Sequence, residues 1–270
     1  MSERTQPDTP GRDAVVARHI TKQYVKGTFT ALDDITLTLR ENEFVSFIGP
    51  SGCGKTTMLR LIAGLEMPTR GRISTFGEAI DGPGPDRGMI FQAYTSFPWL
   101  TARKNIEYGM KIVGVPRAER EQKATEMLKF VHLEDFENSY PGSLSGGMKQ
   151  RVALARTLAQ DPQVLLMDEP FGALDAQVRW EMQEMMIEVV ERESKTVIAV
   201  THDIEEAIYL SDRIIFFTRQ PGRIKADIAL EFKQGRRFPR KEDLFEQPGY
   251  VEMERQLFAM MREEITGSAA

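Results

Sequence analysis

Gly49, Gly52, Gly54, Lys55 and Thr56 have types and a spacing suited to holding a polyphosphate. The run Gly49-x-x-x-x-Gly54-Lys55-Thr56 fits the phosphate-binding loop pattern. Its glycines free consecutive backbone N–H groups to point at phosphate oxygens. Lys55 would reach the β and γ phosphates, and the Thr56 hydroxyl would ligate Mg²⁺. A chance glycine-rich turn is the plain alternative, and Lys-Thr at the right offset argues against it. A second anion site is suggested at Ser145-Gly146-Gly147, where Ser145 suits a helix N-cap and the glycines leave N–H groups accessible. Asp168 and Glu169 are adjacent carboxylates after an apolar run, and His202, one of three histidines, follows another. Successive strand residues face opposite ways, so Asp168 could serve Mg²⁺ while Glu169 orients or deprotonates water. Without the phosphate loop, that pair would read as a helix cap.

Those residues need elements to aim them. Residues 44–48 are an apolar run with β-branched and aromatic members, read as a buried strand, and Leu59, Leu61, Ile62 and Leu65 recur at helical spacing after the loop. The spacing predicts strands over 14–20 and 30–39, the second alternating cleanly as in an antiparallel sheet covered on one face. Between them, residues 21–27 read as a polar turn carrying Tyr24. Residues 88–91 read as a further strand ending at Gln92. Residues 102–159 read as mostly helical. Buried strands are expected at 164–167 and 196–200, a closing strand pair over 213–232, and a helix whose stripe of Met182, Met185 and Met186 faces the core. Strand ends are where open α/β sheets place ligands. After residue 232 a basic stretch, 233–241, reads as a solvated loop, followed by an amphipathic helix over 250–265 and a frayed end at 266–270.

The chain has 270 residues, 41% hydrophobic and 28% charged, an ordinary globular balance able to bury a sizeable core. Its net charge of −5 would repel a polyanion and gives no support to nucleic-acid binding. Cys53 is the only cysteine, so no intrachain disulfide forms and the chain suits a reducing compartment. No histidine-paired nucleophile pattern surrounds Cys53, which reads as a small loop residue. Residues 1–13 are polar with two prolines and lack the apolar core of a signal peptide. No run of about 18 apolar residues occurs, so any membrane role is expected to come through a partner.

Taken in order, the phosphate loop at Gly49, Gln92 after a strand, Leu144-Ser145-Gly146-Gly147-x-x-Gln150, the run Val164-Leu165-Leu166-Met167-Asp168-Glu169-Pro170, Gly172-Ala173-Leu174-Asp175 and Thr201-His202-Asp203 resemble an ABC-type ATPase. The resemblance extends from about residue 14 to 232. It implies an α/β fold: a P-loop NTPase (RecA-like) core with an antiparallel β subdomain, over 14–92 and 160–232, and an inserted helical subdomain over 93–159. A disordered arm, 1–13, and a tail, 233–270, flank these. It further implies ATP and Mg²⁺ as cofactors and a head-to-tail homodimer. Gly49, Pro50, Ser51, Gly52, Cys53, Gly54, Lys55, Thr56 and Thr57 of one subunit would hold the nucleotide with Ser145, Gly146, Gly147 and Gln150 of the other. Tyr24 would stack on adenine, Gln92 would touch Mg²⁺ and the attacking water, and Asp175 would cross the interface. Glu169 would be the catalytic carboxylate and His202 the switch at the γ-phosphate, with Lys55 in support; Thr56, Gln92 and Asp168 would serve the metal.

The stretch Tyr94-Thr95-Ser96-Phe97-Pro98-Trp99-Leu100-Thr101 is aromatic and broken by proline. It is similar to the loop by which ATPase subunits of nitrate, sulfonate and taurine importers receive a permease's coupling helix. This implies an integral-membrane permease as partner, a solute-binding protein indirectly, no nucleic acid, and a peripheral place on the cytoplasmic face of the inner membrane. The tail is too short for the regulatory domain of sugar-importer ATPases. Two alternatives stand beside this. A soluble ABC ATPase of DNA repair or translation would need a long coiled-coil insertion or tandem cassettes. A small-molecule kinase would leave residues 144–150 and Asp175 unexplained.

Overall fold

The computed structural model describes residues 12–93 and 95–267. β1 (Asp13–Tyr24) and β2 (Phe29–Arg40) pair antiparallel, with Ile35, Leu37 and Leu39 buried and Asp34 and Thr36 exposed. β3 (Phe44–Ile48), buried at every position, runs through the phosphate loop into α1 (Lys55–Ile62). The chain returns through β4 (Arg70–Thr75) on the other edge of β1, β5 (Glu78–Ala79) beside it, and β6 (Arg87–Ile90). A helical layer of α2 (Ala102–Ile112), α3 (Arg117–Phe130) and α4 (Gly146–Leu158) follows. Then come β7 (Val164–Asp168), α5 (Ala176–Glu193), β8 (Thr196–Val200), α6 (Ile204–Leu210), β9 (Arg213–Phe217), β10 (Ile224–Ala229), α7 (Lys241–Phe245) and α8 (Tyr250–Thr266).

Two sheets result, in the orders β2-β1-β4-β5 and β10-β9-β3-β8-β7-β6. In the second, all neighbours are parallel except the edge strand β10. Parallel strands covered on both faces read as continuous apolar runs, as β3, β7 and β8 do. Their alternate side chains enter different cores. Phe44, Leu165, Met167, Val197 and Ala199 pack with α4, α5 and α6. Val45, Phe47, Leu166, Ile198 and Val200 pack with α1 and the antiparallel sheet. Met182, Met185 and Met186 of α5 are buried in the first core, as the stripe predicts. Registers of Phe47 and Asp168 with Val200 bring the ends of β3, β7 and β8 to one edge of the sheet.

The structure departs from the sequence reading at several places. The turn expected over 21–27 shrinks to a 3-10 turn at Val25–Gly27, because Lys22, Gln23 and Tyr24 continue the ladder against Leu32, Thr30 and Phe29. Leu65 is not on α1; Gly64, at φ +73°, turns the chain away and leaves Leu65 exposed. The basic stretch 233–241 is only partly a solvated loop: Gln234, Gly235, Arg236, Pro239 and Arg240 are exposed, and the rest is anchored. Lys233 is 2% exposed and donates to the carbonyls of Ile208 (3.2 Å), Tyr209 (3.0 Å) and Ser211 (2.7 Å), the last turn and C-cap of α6. Arg237 pairs with Asp212 (2.6 Å), and Phe238 and Lys241 are buried. A cation at a helix C-terminus meets both the unpaired carbonyls and the negative end of the dipole, which a charge count along the sequence cannot reveal. The terminal arm lies outside the described residues up to residue 11, Asp13 already opens β1, and of the end expected to fray Thr266 closes α8 while residues 268–270 lie outside them.

Candidate functional site

The phosphate loop follows the central strand. Gly49 has φ +147°, and a Cβ there would lie 2.6 Å from the Phe217 carbonyl oxygen. Gly54, the N-cap of α1, has φ +102°, and its Cβ would lie 2.8 Å from the Ala31 carbonyl oxygen. Only glycine fits either place. Lys55 is buried, and its ammonium donates to the Gly49 (2.7 Å) and Pro50 (2.9 Å) carbonyls from inside the curve. The N–H groups of Lys55, Thr56 and Thr57 open the helix without intrahelical acceptors. Pro50, Ser51, Gly52 and Cys53 form the arch, with Cys53 buried under it. Such a cradle of N–H groups with a lysine beside it fits a triphosphate.

Asp168 ends β7 and is buried, and Thr56 donates its hydroxyl to Asp168 Oδ1 at 2.7 Å. Burial pushes the Asp168 carboxyl above its ordinary range, and the Thr56 hydrogen bond pulls it partly back. Two hard oxygen donors at one spot suit Mg²⁺. No group of three or more His, Cys, Asp or Glu among the described residues could hold a metal alone.

Glu169 follows directly after the end of β7. Its φ of +45° lies in the left-handed region, which costs a non-glycine residue about 1–2 kcal/mol, while its N–H still donates to the Val200 carbonyl at 2.9 Å. Residues bent in this way concentrate at working sites. Gln92 Nε2 donates to Glu169 Oε2 at 2.9 Å, and His202 Nδ1 lies 3.5 Å from the same oxygen. Three side chains far apart in sequence thus meet at the ends of β6, β7 and β8.

Ser145 caps α4, accepting from the Met148 N–H at 3.3 Å. Behind it, a Cβ on Gly147 would lie 2.4 Å from Val178 Cγ1 in the first turn of α5, whose own N-cap, Asp175, accepts from the Val178 N–H at 3.0 Å. Gly146 is partly exposed and Gln150 is buried. No hydrogen bond joins Ser145, Gly146 or Gly147 to residues 49–57 among the described residues. The structure therefore gathers Lys55, Thr56, Asp168, Glu169, Gln92 and His202, and leaves the Ser145 segment and Asp175 together elsewhere. Tyr24 ends a strand rather than sitting in a loop, half-buried, its hydroxyl donating to Glu66 Oε2 at 2.5 Å.

The aromatic stretch is divided; Tyr94 lies outside the described residues. Phe97 packs against Tyr108 (centroids 4.4 Å apart), and Trp99 is 70% exposed. A groove of about 400 Å³ beside it is lined by Met89, Phe97, Tyr108, Arg156 and Gln160. Two residues that the sequence reading missed hold the stretch. Asn105, fully buried, accepts from the Phe97 N–H (2.8 Å) and donates to the carbonyls of Phe97, Leu100 and Thr101. Arg156 donates to the Thr95 carbonyl (2.8 Å) and hydroxyl (2.6 Å) with its guanidinium over the Phe97 ring. An asparagine on the apolar face of α2 was the available signal for the first.

No helix among the described residues is long and apolar enough to cross a membrane. The family described as ABC transporter matches residues 32–172. An uncharacterized ABC transporter ATP-binding protein of Methanocaldococcus jannaschii is 47% identical over 88% of this chain and 86% of its own length. A nitrate import ATP-binding protein of Synechocystis is 47% identical over 76% of this chain and 77% of its own. A taurine import ATP-binding protein of Pseudomonas syringae is 46% identical over 84% and 88%. Among solved structures, an ATP-binding cassette in a dimeric post-hydrolysis state bound to ADP and Pi superimposes with a TM-score of 0.71 at 36% identity, covering 80% of this chain and 98% of that one. With the phosphate cradle and the carboxylates at one sheet edge, these likenesses show that the chain belongs to the ABC transporter family, as an ATP-binding cassette that hydrolyses ATP.

Proposed function

We propose that the chain is the ATPase subunit of a membrane importer, working as a homodimer with two ATP molecules clamped between copies. The observation that carries this is the separation within one chain of two anion-binding helix starts, at Lys55 and at Ser145, which can complete each other only across a two-fold axis. That a similar cassette was solved as a dimer supports the arrangement. In it, Lys55 and the N–H groups of residues 51–57 hold the β and γ phosphates within the loop that Gly49 and Pro50 open, Tyr24 stacks on the base, and the partner copy offers its Ser145, Gly146 and Gly147, with Gln150 behind them and Asp175 beside them. Glu169, aimed by Gln92 and His202, orients water in line with the γ-phosphorus and accepts its proton, and His202 bonds the γ-phosphate. Thr56 and Asp168, with Gln92 nearby, would hold Mg²⁺, which neutralises charge on the β and γ phosphates. Closure follows from ATP binding both half-sites, and loss of the γ-phosphate contacts releases it.

The groove beside Phe97, Tyr108 and Arg156, with Trp99 at its side, suits a helix end of an integral-membrane permease. The chain would then lie peripherally on the cytoplasmic face of the membrane, with a solute-binding protein engaged only through the permease. The nitrate and taurine import relatives support a small anion as solute. Expression with its permease tests this reading. An integral-membrane protein should co-purify, and Trp99→Ala should keep the isolated chain's ATPase activity while transport collapses; normal transport in that variant would remove the docking role.

A further inference from the structure

Glu66 lies just beyond the phosphate-loop helix in a place the backbone fixes tightly. The N–H groups of Leu65 and Glu66 donate to the Arg60 carbonyl at 3.0 and 3.4 Å. Gly64, at φ +73°, makes the bend, and a Cβ there would lie 2.1 Å from the Gly82 carbonyl oxygen. The carboxylate gathers three groups. The Tyr24 hydroxyl donates to Oε2 at 2.5 Å, Lys22 Nζ lies 3.1 Å from that oxygen, and Arg60 lies 3.8 Å from Oε1. Lys22 is itself held by the Met67 carbonyl at 2.8 Å, with its ammonium 4.9 Å from the centre of the Tyr24 ring. Burial and then the Glu66 hydrogen bond push the Tyr24 phenol up. Burial alone would raise the Glu66 carboxyl, and the Tyr24 and Lys22 hydrogen bonds outweigh it and hold the group below its ordinary value. At neutral pH the pair is therefore a phenol donor on a carboxylate.

We infer that Glu66 is a positioning residue for nucleotide recognition, holding the Tyr24 ring through its hydroxyl at a fixed place relative to the phosphate loop. This rests on Tyr24 being the base-stacking aromatic. Tyr24 belongs to the antiparallel sheet and Lys55 to the helix after the parallel one, so a purine and its triphosphate are held by different layers. Glu66 moves with α1, and its bond to the tyrosine locks the two layers in register. Lys22 lies over one ring face and the Phe29 ring stands tilted 6.2 Å away, so a purine would stack on the face that Lys22 does not cover. Fixing the ring before binding spares the loss of side-chain freedom that stacking would otherwise cost.

The test is steady-state ATPase kinetics on the full chain, with inorganic tripolyphosphate, which has no base, as competitor. Tyr24→Phe and Glu66→Ala should each raise the KM for ATP at least about tenfold, the lower end of the worth of one hydrogen bond to a charged group, with kcat unchanged. The double variant should be no worse than the more affected single one, and Glu66→Gln, which keeps an acceptor, should recover most of the loss. Inhibition by tripolyphosphate should be the same in all of them. Parallel weakening of tripolyphosphate would overturn the inference, because Glu66 would then act on the phosphate loop itself. So would an unchanged KM in Tyr24→Phe and Glu66→Ala while Tyr24→Ala raises it. If Tyr24→Ala itself leaves KM unchanged, base stacking falls and the inference falls with it.

Discussion

At the start of α1 the backbone is enclosed: Gly49 packs under Phe217, Gly54 under Ala31, and the Lys55 ammonium is tied to two carbonyls of its own loop. At the start of α4 the support comes from one side only, where Gly147 rests on Val178, while Ser145 is exposed. Both are helix N-termini offering N–H groups to an anion, yet one is pre-organised with its own counter-charge and the other is an open edge. On the proposed reading the first holds a phosphate tail unaided. The second lacks such an enclosure, and on the proposed reading it meets a ligand only when another copy carries one to it. Binding and turnover should therefore separate cleanly by region.

The largest effect is expected where the regions must cooperate. Glu169→Gln should slow hydrolysis about 10²- to 10⁴-fold while ATP binding persists and dimers accumulate, read by phosphate release and by sedimentation with ATP. An unchanged turnover rate would take the base role from Glu169. Next, Lys55→Ala should lower ATP affinity about 10- to 100-fold even in a monomer, measured by calorimetry, since a charge-assisted contact is lost; normal affinity would contradict the division. Gly147→Ala forces a Cβ to within 2.4 Å of Val178 Cγ1. It should leave monomer ATP affinity intact and reduce turnover about tenfold, the cost of shifting the α4 start by overpacking. If affinity falls as well, the two helix starts are not independent.

The smallest effect concerns the sheet edge behind His202. Glu206, in the first turn of α6, is buried, accepts from Gln183 Nε2 at 2.9 Å, and has its carboxyl raised to about 7, chiefly by burial. A raised carboxyl binds more protons folded than unfolded between its ordinary 4.5 and 7, so its contribution to stability falls as pH rises through that window. Between pH 5 and 6 the loss should be about 1 kcal/mol. Glu206→Gln should flatten that slope in denaturation curves. An identical slope would show the carboxyl to be ionised in the native state.

The phosphate loop was legible because its chemistry is local: backbone freedom, a lysine and a hydroxyl all fall within eight positions between a strand and a helix. The convergence of Gln92, Glu169 and His202 could be anticipated only through resemblance, since nothing in their spacing says that β6, β7 and β8 end together. The left-handed turn at Glu169 left no trace at all, because no glycine marks it. Tyr24 was placed in a turn because Lys22 and Gln23 look like turn residues. Their partners, Glu66, Met67 and Thr69, lie more than forty positions away.

Lys233 sets a limit on how short the protein can be made. Trimming the chain after Phe232 would strip the ammonium from the Ile208, Tyr209 and Ser211 carbonyls and remove Phe238 and Leu244 from the core they share with α6. Helix α6 begins two residues beyond His202, so a truncated cassette would loosen that histidine from behind while every motif remained intact.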